Sequence, residues 1–125
     1  EKIVDVMERV GISSLRESVL GRMAHGQRQL VELAMVVASD PDLVLLDEPA
    51  AGMTDGEVER LASIIRDLNR THTVIVVEHD MHFIRMIGDQ VTVFHQGRIL
   101  AQGHVESILA NETVRDVYLG KKHVA

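Results

Sequence analysis

Apolar residues recur along the chain at two spacings, and each spacing predicts an element. Ile3, Met7 and Val10 stand at helical intervals over residues 1–10, and Gly11 follows as a stop. Residues 11–22 mix glycine, serine and charge and read as a loop. A helix from about His25 to Ser39 puts Leu30, Leu33, Ala34 and Val37 on one face. Asp40-Pro41 ends it, because the residue before proline is pushed out of the helical region. Leu43–Leu46 is an unbroken apolar run, the pattern of a strand buried on both faces.

Thr54 and Glu57 have capping-box spacing, and Val58, Leu61, Ile64, Ile65 and Leu68 form a stripe behind them. Thr73–Val77 is a second β-branched run and predicts a second buried strand. Asp80 is placed to cap a short helix ending near Gly88. Val91–His95, a Gln96-Gly97 turn and Arg98–Gln102 read as a hairpin. Two short helices are expected near 104–110 and 112–119, with a frayed tail after them. Strand–helix–strand order with buried strands predicts an α/β layered sheet. Ligands of such sheets bind beyond the carboxyl ends of the strands, where Asp47, Glu48 and His79 fall.

Bulk properties narrow the function. The 125 residues carry a net charge of −6, which argues against a protein that coats nucleic acid. Cysteine is absent, so there is neither a disulfide framework nor thiol chemistry. No apolar run approaches the roughly 20 residues that span a bilayer, and no charged-then-apolar leader opens the chain. The chain starts on Glu1 with a helical pattern already under way, as a piece whose beginning lies elsewhere would.

Three places carry candidate chemistry. Asp47 and Glu48 are adjacent carboxylates, costly at the end of a buried strand unless something positive faces them. They suit Mg²⁺, which takes a carboxylate, water and phosphate oxygens, and a neighbouring base for water. The plainer reading is a strand leaving for a turn. His79 follows the second strand as Glu48 follows the first, where a histidine can contact phosphate or hold water. Met23-Ala24-His25-Gly26-Gln27 lies where a loop becomes a helix. A glycine there lets backbone N–H groups approach an anion at the positive helix end. The spacing of His79 and His82 is a poor zinc pattern, Asn111-Glu112-Thr113 matches a glycosylation acceptor without any sign of secretion, and the six methionines read as core filler.

In this order and spacing, "MAHGQ", "LVLLDEPAAGMT", "VVEHDM", "VTVFHQGRILAQG" and "VYLG" resemble the ATP-binding subunits of ABC transporters over essentially the whole chain. The wording is most similar to the uptake class for urea, short amides and branched-chain amino acids. The resemblance implies a partial P-loop NTPase fold: a layered, mostly parallel sheet with flanking helices and a C-terminal hairpin. Residues 1–40 would be the end of the helical subdomain with the signature, and 41–125 part of the α/β core and tail.

The same resemblance implies residue roles. Asp47 would hold the Mg²⁺ of Mg·ATP through water, Glu48 would be the general base, and His79 would contact the γ-phosphate. Ala24, His25, Gly26 and Gln27 would cover the γ-phosphate of ATP on a second ATP-binding subunit, and Ala50 to Thr54 would cross between subunits. Membrane permease subunits would be the other partners, nucleic acid would not be one, and the subunit would sit on the cytoplasmic face of the plasma membrane.

Departures stand beside these matches. The common signature is Leu-Ser-Gly-Gly-Gln, so Ala24 lacks a hydroxyl that usually reaches phosphate, a loss of about 1.5–3 kcal/mol at most. Thr54 stands where the crossing loop commonly has aspartate. G-x-x-x-x-G-K-[ST], the loop that cradles phosphates, does not occur in these residues. The chain is therefore expected to be the back half of a domain, inactive alone. Two other readings remain: a catalytically incompetent binding module, and a soluble ABC-type ATPase outside transport.

Overall fold

The computed structural model describes residues 2–118. The chain divides into two compact units, 1–78 and 79–125.

In the first unit, α1 (Lys2–Val10) ends at Gly11, whose φ of +70° a side chain would resist. Val10 is fully buried, whereas Ile3, expected on the same face, is 70% exposed. The loop 11–22 contains two single 3-10 turns, Ser13–Leu15 and Leu20–Arg22. The helix α2 (His25–Ala38) buries all four apolar positions read from its periodicity. It gives way at Asp40, which leaves the helix as a pre-proline residue should, but at φ +53° rather than extended. The strand β1 (Leu43–Asp47) then returns.

The crossover helix α3 (Asp55–Leu68) buries the whole predicted stripe, Val58, Leu61, Ile64, Ile65 and Leu68. Its capping box is formed: Thr54 N–H donates to Glu57 Oε2 at 2.8 Å, and Glu57 N–H to Thr54 Oγ1 at 3.4 Å. Arg9 of α1 donates to Asp67 Oδ2 at 3.1 Å and to Thr71 Oγ1 at 2.7 Å, tying the first helix to the end of α3. The strand β2 (Thr73–Val77) pairs parallel with β1 in a register from Leu43–Thr73 to Asp47–Val77. A parallel pair needs a crossover of about a dozen residues, which α3 and its loops supply.

The second unit begins with α4 (Met81–Ile87), capped by Asp80, whose Oδ1 accepts from the N–H groups of His82 at 2.8 Å and Phe83 at 3.2 Å. An antiparallel hairpin of β3 (Gln90–His95) and β4 (Arg98–His104) follows. Its two-residue turn has both Gln96 and Gly97 at positive φ, the twist such hairpins need. A bulge at Val93/Phe94 lets consecutive residues Leu100 and Ala101 both pack on a core of Val93, Ile108 and Val114. The helices α5 (Val105–Ala110) and α6 (Glu112–Tyr118) supply the last two of these. The expected fraying of the tail lies outside the described residues.

Within these residues, as expected of part of a domain, β1 and β2 are covered on one face only: Val44 is fully buried, but Leu43 and Leu45 are 45% and 67% exposed, and Ile75 and Val77 50% and 60%. The alternation is that of a sheet covered on one side only. Nothing among the described residues of this unit packs on the Leu45–Ile75 side, so apolar residue types chosen for burial stand in solvent. An exposed apolar face on a sheet with open edges promotes association. The 125-residue chain alone is expected to self-associate in sedimentation velocity, and Leu45→Lys with Ile75→Glu, an opposite-charge pair across the ladder, to shift it toward monomer with its helical dichroism kept. A monomer without these changes contradicts this.

Candidate functional site

The site is built from the end of β1 outward. In-register pairing carries the ladder one residue beyond the strand, where Glu48 N–H donates to Val77 O at 2.8 Å. Glu48 itself has φ +46°, a conformation a glutamate before proline rarely takes. Such a residue costs on the order of 1–3 kcal/mol and persists only where its surroundings hold it. Three hydrogen bonds do so: the ladder bond, Ala51 N–H to Glu48 O at 3.1 Å, and Ala50 N–H to Glu78 Oε1 at 3.2 Å. The last was not foreseen. Glu78 has no strand-pattern role, and only the register, which puts it just past Val77, reveals what it can reach.

The turn at Glu48 directs the chain into Pro49 and Ala50, both buried, while Asp47 and Glu48 remain exposed. The desolvation cost expected for these carboxylates is therefore absent: both lie beyond the apolar part of the strand, in contact with solvent. Among the described residues no three of His, Asp and Glu converge where a metal ion could sit.

The second component arrives by length matching. The 14 residues of α2 run about 21 Å away at 1.5 Å per residue, and β1 runs back. The start of α2 and the end of β1 thus meet at one end of the unit. His25 Nε2 stands 3.0 Å from Ala51 O. Gly52, at φ +72°, lies so close to the imidazole that a Cβ there would come within 3.3 Å of Cδ2.

Ala24 occupies the N-cap of α2 but offers no side-chain acceptor, so only the returning half of a capping box exists, with Ala24 N–H donating to Gln27 Oε1 at 3.0 Å. Gly26 is buried, and the anion it admits is the chain's own: a Cβ on Gly26 would fall 2.4 Å from Glu57 Oε1. Glu57 is itself fixed by the Thr54 backbone and side chain. Those bonds, the backbone one first, hold its carboxyl below the ordinary glutamate value; slight burial opposes them and His25 adds to them.

The structure thus brings His25 and Gly26 together with Ala51, Gly52 and Glu57, and sets Asp47 and Glu48 side by side. His79 is the first residue of the second unit, two past the end of β2 and just before the Asp80 cap.

Two measurements test this packing. Gly26→Ala should be neutral to destabilising in the wild-type background, because it displaces a carboxylate locked in the α3 cap. In a Glu57→Ala background the same change should stabilise by up to about 1 kcal/mol through helix propensity, and equal effects in the two backgrounds would show no coupling. The lowered Glu57 value means its contribution is complete above the ordinary glutamate pKa and is lost as pH falls through the lower folded one. Acid denaturation should therefore be less steep in Glu57→Gln.

Residues 1–51 match the ABC transporter family. The branched-chain amino acid transport ATP-binding protein BraF of Pseudomonas aeruginosa is 36% identical over 117 residues, which are 92% of this chain and 46% of that protein. The methionine import ATP-binding protein MetN of Haemophilus influenzae is 34% identical over 113 residues, 89% of this chain and 33% of its own length. The chain thus spans a third to a half of the curated relatives it matches. Among solved structures, the ADP conformation of an ATP-binding cassette of an ABC transporter superposes with a TM-score of 0.84 at 25% identity, over 96% of this chain and 49% of the other. CbiO1 of Clostridium perfringens, part of the ABC transporter complex cbiONQ, gives 0.82 at 26%, over 98% and 50%. By sequence and fold, the chain matches the ATP-binding domain of ABC transporters and spans about half of one such cassette.

Proposed function

We propose that the chain is the carboxyl-terminal half of the ATP-hydrolysing subunit of an ABC importer. The observation that supports this most is the meeting, at one end of the first unit, of the Asp47-Glu48 strand end and the His25–Gln27 helix terminus, the latter joined to the intervening loop at 3.0 Å.

In this reading Asp47 holds Mg²⁺ through water; the ion, when bound, neutralises phosphate charge. Glu48 accepts the proton of the attacking water, and its exposure leaves it reachable. His79 contacts the γ-phosphate. The residues Ala24, His25, Gly26 and Gln27 present backbone N–H groups to ATP on a second subunit, an anion site at a helix terminus. With Ala24 in place of serine the contact is made by backbone alone. The 125 residues contain no G-x-x-x-x-G-K-[ST] loop, so the cradle for ATP is supplied by the rest of the protein. Residues 1–40 end a helical subdomain, and 41–125 belong to the α/β core and tail.

Permease subunits are the partners on the membrane side. Among the described residues no helix is long and apolar enough to cross a membrane, in keeping with a peripheral subunit on the cytoplasmic face. The cargo class is amino acids or small amides. BraF and LivG of Escherichia coli carry branched-chain amino acid transport in their names, and the "GMT" and "VYLG" wording leans to urea.

In the full-length protein, Glu48→Gln should lower ATP turnover about 10²-fold or more while leaving ATP bound; unchanged hydrolysis removes Glu48 as the base. Calorimetry on the 125-residue chain should find no tight Mg·ATP binding. Binding as tight as that of the full protein would mean that the cradle is not needed.

A further inference from the structure

His25 makes a contact that the roles above do not use. Its Nε2 stands 3.0 Å from Ala51 O, and a carbonyl can only accept, so Nε2 carries the proton. The Gln29 carboxamide stands 3.5 Å from the same nitrogen. With Nε2–H donating to Ala51 O, that nitrogen cannot also accept from the Gln29 NH₂, so the Gln29 approach is a contact and the Ala51 carbonyl is the hydrogen-bond partner. The imidazole also lies against Gly52, where a Cβ would be 3.3 Å from Cδ2, and φ +72° suits glycine. Beside it, Gly26 seats the Glu57 carboxylate, which caps the helix after the loop. Two of the loop's bonds are short-range, Ala51 N–H to Glu48 O at 3.1 Å and Met53 N–H to Ala50 O at 3.2 Å, and Ala50 N–H reaches Glu78 Oε1 at 3.2 Å. Among the described residues, the His25 side chain is the one that hydrogen-bonds the 50–53 segment from α2.

We propose that His25 is a positioning residue: its Nε2–H latches the 50–53 loop to the start of α2, so that the turn facing the partner subunit's phosphate and the loop leaving Glu48 move as one body. The proposal rests on the ATPase reading for its effect on turnover, but not for the latch. Through it, a displacement of the helix terminus when the opposite subunit's nucleotide arrives or leaves is felt at the backbone of Glu48. Without the imidazole the start of α2 and the 50–53 loop lose this direct hydrogen bond, and the Gly26–Glu57 approach remains beside it.

The test uses the full-length protein with His25→Ala, His25→Gln and His25→Asn. A glutamine amide N–H can stand where Nε2–H stands; an asparagine amide reaches only to the Nδ1 position. Hydrogen exchange at the amides of Ala51 and Met53 should quicken about threefold to tenfold in His25→Ala, with α3 unchanged, and return toward wild type in His25→Gln but not in His25→Asn. ATP turnover should fall by a similar factor in the alanine and asparagine variants, with KM for ATP within about twofold and a Hill coefficient closer to one; glutamine should rescue both. Unchanged exchange in His25→Ala overturns the latch whether or not the protein hydrolyses ATP. Faster exchange with unchanged turnover and Hill coefficient overturns the coupling. Wild-type protein without ATPase activity, or Glu48→Gln as active as wild type, counts against the ATPase reading instead, and the exchange result still decides the latch.

Discussion

Everything at the candidate site depends on the parallel register of β1 and β2. Side-chain direction alternates at every residue, so a slip of one would turn Val44 outward and Leu45 inward and would move Glu78 away from Ala50. With Asp47 opposite Val77, the chain leaves both strands at the same level. Glu48 can then take the ladder bond to Val77 O, and Glu78 can take the Ala50 N–H. The register is held from below by α3, whose stripe is buried along its length and whose cap depends on the same loop.

That arrangement accounts for a local oddity. Glu48 precedes a proline and yet sits at positive φ, as does Asp40 before Pro41. At Asp40 the departure ends a helix and starts a strand. At Glu48 it bends the chain sharply enough that Pro49 and Ala50 are buried within two residues of an exposed carboxylate. An extended residue there would carry the chain onward along the strand direction, at about 3.3 Å per residue, away from the start of α2. The strain at Glu48 is thus the local cost of bringing the loop to His25.

Much of this was legible in the residues themselves. The helical stripes of α2 and α3, the Thr54-Glu57 box, the Asp80 cap and the Gln96-Gly97 turn are each decided by local chemistry, and the structure has all of them. The apolar run also marked a second face meant to be covered, and Leu45 and Ile75 stand open because nothing among the described residues of this unit covers them. Pattern could not find Glu78, His25–Ala51 or Gly26–Glu57, which join positions 28, 26 and 31 residues apart in the sequence. Those pairs depend on register and on matched element lengths, which no short window contains.

Gly26 illustrates the point in physical terms. A glycine at a helix start invites the expectation that an external anion will come close to the backbone. Here the atom that forbids a Cβ is the Glu57 carboxylate, on the neighbouring helix of the same chain. The two uses are compatible only because they involve different sides of the first turn. The Cα side accepts Glu57, while the N–H groups point along the helix axis away from the body of α2. Ala24, with no hydroxyl, leaves those N–H groups without a side-chain cap. A serine there would serve both the cap and a phosphate; alanine serves neither, so whatever anion meets this terminus is held by backbone and by the positive end of the helix. The departure from the common signature thus removes one contact and leaves the field, and the packing of Gly26 against Glu57 keeps that field aimed by fixing the start of α2 against the start of α3.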